Sequence, residues 1–193
     1  SEVKRVLRPE GGTHIARNGK SYKRPALKGA GDWTHFYGNA GNSACSEDET
    51  NGTKLVMQWF GKPGPRNMVD RHNRTCAPLY KKGRMFVTGN NWFCGVDAYN
   101  GTILWERDIP DSRRLSALKG SSNMAAFDDK LVVASGKSCL LLDGQTGKTE
   151  HTFKLPGQKG DWCYTAVHQG ILFGSETKEG ANSWKYDKHS YSI

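Results

Sequence analysis

The sequence predicts an all-β fold made of repeated antiparallel units, and three observations carry that expectation. The stretch from Arg84 to Pro110, RMFVTGNNWFCGVDAYNGTILWERDIP, alternates short β-prone runs with turns. A gapless shift of 46 residues (133 − 87) lays it over Lys130 to Pro156, with Val87 on Val133, Asp97 on Asp143, Gly101 on Gly147 and Pro110 on Pro156. A third, looser copy begins at Gly170-Ile171-Leu172-Phe173 and reaches Tyr186-Asp187. A period of about 40 to 50 residues with several short strands per unit is the pattern of β-propeller blades. Counting the copies gives about three to four blades of four-stranded sheet, and a ring more often takes about six to eight. The chain is therefore expected to be a partial propeller, either a piece of a larger protein or a partial ring completed by another chain.

The first copy justifies its strands one by one. Met85-Phe86-Val87 is a short apolar run, Asn90-Asn91 a turn, Trp92 to Ala98 a second run, Asn100-Gly101 a hairpin signal and Thr102 to Trp105 a third strand. Upstream, Val3, Val6 and Leu7 fall on one helical face, which Pro9 ends. Gly11-Gly12 then makes a turn before a short strand, Thr13 to Ala16, so the chain opens with a helix–turn–strand segment. Asn18 to Gly31 is basic, contains Pro25 and three glycines, and reads as a linker. The division expected is a basic N-terminal segment, 1–29, followed by the propeller, 30–193. Apolar–aromatic structure begins at Asp32 to Phe36, the run GNAGNSACSEDETNG is turn and loop, and Lys54 to Trp59 is a strand. Gly61 to Arg66 is irregular because Pro63 and Pro65 lack donors. Asn67 to Pro78 is a polar loop, Asp111 to Ala126 and Gly157 to Asp161 connect blades, and Trp162 to Thr165 is a strand of the last one.

Charge and cysteines exclude more than they assign. The net charge of +9 is concentrated in residues 1–29, where eight Lys/Arg face Glu2 and Glu10. Such a segment reads as a solvated face or linker, and nucleic acid is not an expected partner, because no aromatic interleaving or groove-reading helix accompanies it. The five cysteines (Cys45, Cys76, Cys94, Cys139, Cys163) are widely spaced, with no CxxC pair and no metal-ligand spacing, and read as buried strand residues. The six histidines are scattered, so no metal site is expected, and neither a G-x-S-x-G elbow nor a P-loop is present. No apolar run approaches the roughly 18 residues of a membrane span.

Within the repeat the spacing is Asp97-x-x-x-Gly101-x-x-x-Trp105. An Asp before a hairpin accepts its backbone N–H groups, Gly101 supplies the positive φ, and Trp105 offers a flat face to the adjoining blade. Asp143 and Gly147 keep the pattern, His151 stands at the Trp place as a packing residue, and Asp187 opens a third copy with Tyr191 in the Gly place. This motif resembles the tryptophan-docking repeat of quinoprotein dehydrogenases and of their non-enzymatic relatives, the PQQ-binding-like β-propeller repeat proteins. Together with DWTHFYGNAGNSACSED, MVDRH and PDSRR, the chain is similar to the planctomycete-type members of that group. The run LRPEGG near the N-terminus resembles the late helix–turn–strand of class I methyltransferases. The resemblance implies PQQ with calcium as the possible cofactor and a bacterial, extracytoplasmic setting. Against an enzyme, the chain has no adjacent cysteine pair, and none of the quinone ligands can be placed on a matching motif. The function expected is a binding or scaffold module without a complete active site, the alternative being part of a PQQ-dependent dehydrogenase or of a methyltransferase-linked propeller enzyme.

The candidate ligand site is the loop Arg66, Asp70, Arg71, His72 and Arg74, joined by Arg113 and Arg114 from the next connection. Propeller loops gather on the faces of the ring, and Arg forks suit carboxylate or phosphate, so an anionic small ligand is the expected class. The competing reading is that these charges pair with each other and tie blades together. The expected partners are the remainder of the parent propeller or another copy of the chain, because an unclosed propeller exposes strand edges.

Overall fold

The computed structural model describes residues 2–50, 56–62, 77–89, 91–112 and 122–177, and over these the chain is a partial β-propeller. It opens with a short helix, α1 (Glu2–Val6), and a hairpin of β1 (Thr13–Ile15) and β2 (Ser21–Lys23). The first blade is an antiparallel sheet of β3 (Leu79–Lys81), β4 (Arg84–Gly89), β5 (Trp92–Asp97) and β6 (Ile103–Asp108), in that spatial order. The second is β7 (Met124–Phe127), β8 (Lys130–Ser135), β9 (Ser138–Asp143) and β10 (Thr149–Phe153), also a meander. A third sheet pairs β11 (Trp162–His168) with β12 (Ile171–Glu176). The first strands of the three sheets adjoin one another, β3 against β7 and β7 against β11, as inner strands do around an axis.

Several expectations need correcting. The supposed linker holds β2, which folds back on β1 because Asn18-Gly19 turns the chain: Gly19 sits at φ 79° and Asn18 Oδ1 accepts the Lys20 N–H at 3.1 Å. The supposed connection Asp111 to Ala126 ends in a strand, β7, whose Met124, Ala125 and Ala126 are buried between blades. Strand β3 has no counterpart in the sequence reading, since three residues are too few for a period to register. Conversely, Val56 to Trp59, the described part of the strand expected at Lys54 to Trp59, has no ladder partner among the described residues and forms no strand there.

Period-two alternation on the central strands sends neighbouring side chains to opposite blades. On β8, Leu131 and Val133 join Leu79, Phe86, Phe93 and Ile109 of the first blade in one core. Val132 and Ala134, between them in sequence, join Trp162 and Val167 of the third sheet in a second core. Cys94 and Cys139 are buried strand residues as expected, whereas Cys45 lies exposed in a loop and Cys163 is half-buried on β11.

The contact that sets blade spacing is Trp105. Its ring covers Gly95 of its own sheet and lies on Gly147 of the next, where an added Cβ would sit 2.5 Å from the indole. The indole N–H donates to Gly144 O at 2.9 Å, and Arg107 Nη1 donates to Gly147 O at 2.7 Å. Gly147 is held at φ 68° by the turn, and Asp143 Oδ1 accepts the N–H groups of Gln145 (3.1 Å) and Thr146 (2.8 Å). The Thr146 hydroxyl, chiefly, and that backbone donor hold the Asp143 carboxyl below the usual range. The first blade repeats the plan with Gly101 at φ 75° and Tyr99 N–H donating to Asp97 Oδ1 at 2.9 Å. His151, at the Trp place of the second blade, is exposed and tilts against Phe153, with ring centroids 4.5 Å apart, instead of packing on another blade.

Two substitutions test this contact by urea denaturation. Trp105→Ala is expected to cost about 3–5 kcal/mol, in line with truncation of a large buried aromatic. Gly147→Ala keeps the ring but drives a methyl into it at a positive φ, and is expected to cost more than about 1 kcal/mol. Unchanged stability in the second variant would contradict the docking geometry.

Candidate functional site

The loop residues Arg66, Asp70, Arg71, His72 and Arg74, with Arg113, Arg114 and Asp187, lie outside the described residues. What the structure does describe is a segment that links the three sheets. Trp33, Thr34 and His35 are consecutive, and each bonds to a different one. Trp33 exchanges both backbone bonds with Tyr80 of β3 (N to Tyr80 O 3.0 Å; Tyr80 N to Trp33 O 2.7 Å). Thr34 O accepts the Ala126 N–H of β7 at 2.8 Å. His35 Nε2 accepts the Val167 N–H of β11 at 3.1 Å. These donors lie on the innermost strands, so the segment occupies the edge that those strands turn away from their own sheets.

The local sequence shapes that segment. Gly38, at φ 85°, closes a tight turn in which Thr34 N donates to Gly38 O at 2.7 Å and Gly38 N to His35 O at 3.1 Å. An added Cβ on Gly38 would stand 2.9 Å from Cys45 O, so only glycine fits there. The bond from Val167 leaves the lone pair on His35 Nε2 and the proton on Nδ1. That Nδ1–H then donates to Thr34 Oγ1 at 2.8 Å, and the Thr34 hydroxyl points to Gly38 O at 3.4 Å. His35 is buried, 3% exposed. Burial, with a smaller contribution from His168, pushes its pKa down to about 4. Protonating Nε2 would set an N–H against an N–H.

A cleft of about 370 Å³ lies beside the segment, lined by Leu27, Trp33, Asp48, Gln58, Tyr80 and Tyr99 among others. Most of its polar groups already bond to protein. Asp32 pairs with Lys81 Nζ at 2.6 Å, Asp48 Oδ1 accepts the Thr50 N–H at 2.6 Å, and Gln58 Nε2 donates to Tyr99 O at 2.9 Å. The Tyr80 and Tyr99 hydroxyls meet at 3.0 Å, and burial first, then that bond, raises the Tyr80 phenol well above its ordinary pKa. Trp33 Nε1 is buried without a hydrogen-bond partner among the described residues.

The sequence reading missed two features around this cleft. Arg8, counted only as part of a basic segment, pairs with the buried Asp97 carboxylate at 2.8 Å and so joins the N-terminal segment to the first blade. Trp59 lays its ring on Gly101 and donates from Nε1 to Ala98 O at 2.9 Å. Extending the 46-residue shift backwards from Trp105 to position 59 would have found it.

The described residues do not fit PQQ with calcium. Among them no three His, Cys, Asp or Glu side chains stand together as a cation site. Both ring nitrogens of His35 are taken by protein, and Asp32 is held by Lys81. No described helix is long and apolar enough to cross a membrane.

No family model and no curated protein matches the chain. Solved structures do. The chain is similar to quinohemoprotein alcohol dehydrogenase ADHIIG from Pseudomonas putida HK5, with TM-score 0.51 and 17% identity over 75% of this chain and 22% of that one. It is also similar to quinohemoprotein alcohol dehydrogenase from Comamonas testosteroni (TM-score 0.49, 21% identity, 73% and 22% covered). A third likeness is to BamB from Moraxella catarrhalis (TM-score 0.38, 17% identity, 51% and 29% covered). The chain thus spans less than a third of the length of each of these proteins. At this identity the first likeness supports the fold alone.

The buried His35 gives a pH dependence whose sign is fixed. Its folded pKa lies below the unfolded value of 6.5, so the unfolded chain binds the extra proton. Stability is then full above pH 6.5 and falls as the pH drops toward 4, by about 3 kcal/mol at most. Chemical denaturation at steps across that window should show the loss in the native protein and a flat response in His35→Gln. The carboxylates with lowered pKa, such as Asp129 and Asp143, act only below about pH 4. A pH dependence in this window that survives His35→Gln would contradict the assignment.

Proposed function

We propose that the chain is a β-propeller binding or scaffold module of the PQQ-like repeat type, part of a larger bacterial protein or assembly, and that it carries no complete active site. One observation supports this reading above the rest: the inner edges of the three sheets are taken by Trp33, Thr34 and His35, whose backbone and imidazole are spent on the blades. A catalytic centre at that place would need polar groups free to meet a substrate. In this reading the surface, not the axis, is the working part. Arg66, Asp70, Arg71, His72, Arg74, Arg113 and Arg114 are proposed to gather on one face for an anionic small ligand, with carboxylate or phosphate as the group recognised. The extracytoplasmic setting, the planctomycete-type kinship and the methyltransferase-like origin of residues 1–17 belong to the same proposal.

The test uses the purified chain with PQQ and calcium. The expected result is no bound-quinone absorbance after desalting and no dye-linked alcohol oxidation. Appearance of both would overturn the scaffold reading in favour of a quinoprotein fragment.

A further inference from the structure

Between the N-terminal segment and the first blade lies a second cavity, of about 230 Å³, which shares Tyr80 and Tyr99 with the larger cleft beside Trp33. Its other chemistry-bearing walls are Glu10, Asp32, Lys81 and Lys82, all among the described residues. The volume falls below the roughly 300–1,000 Å³ that suits drug-sized ligands, so the occupant it fits is small. Glu10 is held there by its main chain. It sits at φ 54°, its N–H donates to Pro25 O at 3.1 Å, and its carbonyl accepts a bond from Arg8 Nη2 at 3.3 Å. Pro9 before it is buried, so the half-buried Glu10 side chain projects from a fixed base.

The charges along this cavity are unequally matched. Lys81 Nζ lies on Asp32 at 2.6 Å, and Lys82 Nζ leans toward Asp129 and Asp128 of the second blade at 3.6 and 3.8 Å. Arg8 is taken by Asp97 at 2.8 Å. The Glu10 carboxylate has no ion-pair partner within 4.0 Å among the described residues, and what it accepts is a long bond from the Tyr80 hydroxyl, 3.5 Å. Because Tyr80 donates to Glu10, Tyr99 donates to Tyr80 across 3.0 Å, and neither phenol has a proton left to offer. An anionic occupant would meet the carboxylate with like charge, and a neutral one would leave it uncompensated in a half-buried place. A small cation carrying N–H donors suits both the carboxylate and the free lone pairs of the Tyr99 oxygen. The two tyrosines on the walls add cation–π attraction.

We propose that this cavity binds a small primary ammonium compound, its ammonium group held by the Glu10 carboxylate and the Tyr99 oxygen. Leu27 lines both this cavity and the larger cleft, and gives the carbon chain an apolar surface between them. The site differs from the arginine-rich loop in its residues and takes a ligand of the opposite charge. It rests on the scaffold reading only for the fold, so its failure and the failure of that reading are separate results.

The test is a titration of the purified chain with n-butylammonium chloride, followed by amide NMR. Saturable shifts are expected at the amides of Gly31, Lys81 and Tyr99. Sodium butyrate and n-butanol share the carbon chain but carry the opposite charge or none, and each should bind at least about tenfold more weakly. Glu10→Gln keeps an oxygen for Tyr80 and removes only the charge, so it should retain the native spectrum elsewhere and weaken n-butylammonium binding by at least about tenfold. The comparison of the three probes is made on the native chain and decides the matter even where the variant misfolds. Absence of saturable shifts at those amides would overturn the proposal. So would equal binding of butanol or butyrate, or unchanged n-butylammonium affinity in a folded Glu10→Gln variant.

Discussion

Three neighbouring residues hold three sheets. A propeller blade has no core of its own, so its position depends on what fixes it to the next blade and to the axis. Trp33, Thr34 and His35 do the second job through main-chain bonds to Tyr80 and Ala126 and through one imidazole. The imidazole is the sensitive member. It accepts a backbone N–H in a buried place, which makes the neutral form part of the fold, and the turn behind it has no room for a Cβ at Gly38. Buried polar contacts of this kind are costly when half satisfied, so the segment tends to be held whole or lost whole.

The outer fastening is of another type. Trp105 contributes area, one indole hydrogen bond and a fit that depends on two glycines having no side chain. It can be read as a module: an Asp that organises a turn, a Gly that takes the positive φ, and a Trp one strand later that covers the next such turn. The second blade keeps the turn and loses the Trp, and His151 stays in solvent beside Phe153. That single replacement removes the docking ring from the side facing the third sheet. The junction there relies instead on Trp162, Val167 and the bond from Thr165 N to Ser122 O, 2.9 Å.

What was legible in the sequence was whatever repeats locally. The strands β4, β5, β8 and β9, the hairpin glycines and the Asp caps all follow from short-range patterns and recur at one spacing. Strand β3 was not legible, because three residues paired on both edges carry no period. Nor was the Trp33–His35 segment, whose partners lie tens of residues away and are mostly backbone groups without a side-chain signature. Arg8 gave a charge but not its address, since nothing in a basic run distinguishes the guanidinium that meets a buried carboxylate from those in water. Trp59 lay between these cases. Its strand was expected and its docking was encoded in the repeat, but no ladder partner stands beside it among the described residues.

The central claim is that one short segment fastens the innermost strands of all three sheets. Native-state hydrogen exchange at Tyr80, Ala126 and Val167, whose amides donate to Trp33, Thr34 and His35, tests it most directly. All three should be protected in the native chain, and His35→Ala should raise exchange at Ala126 as well as at Val167. Fast exchange of these amides in the native protein, or a loss confined to Val167, would contradict it.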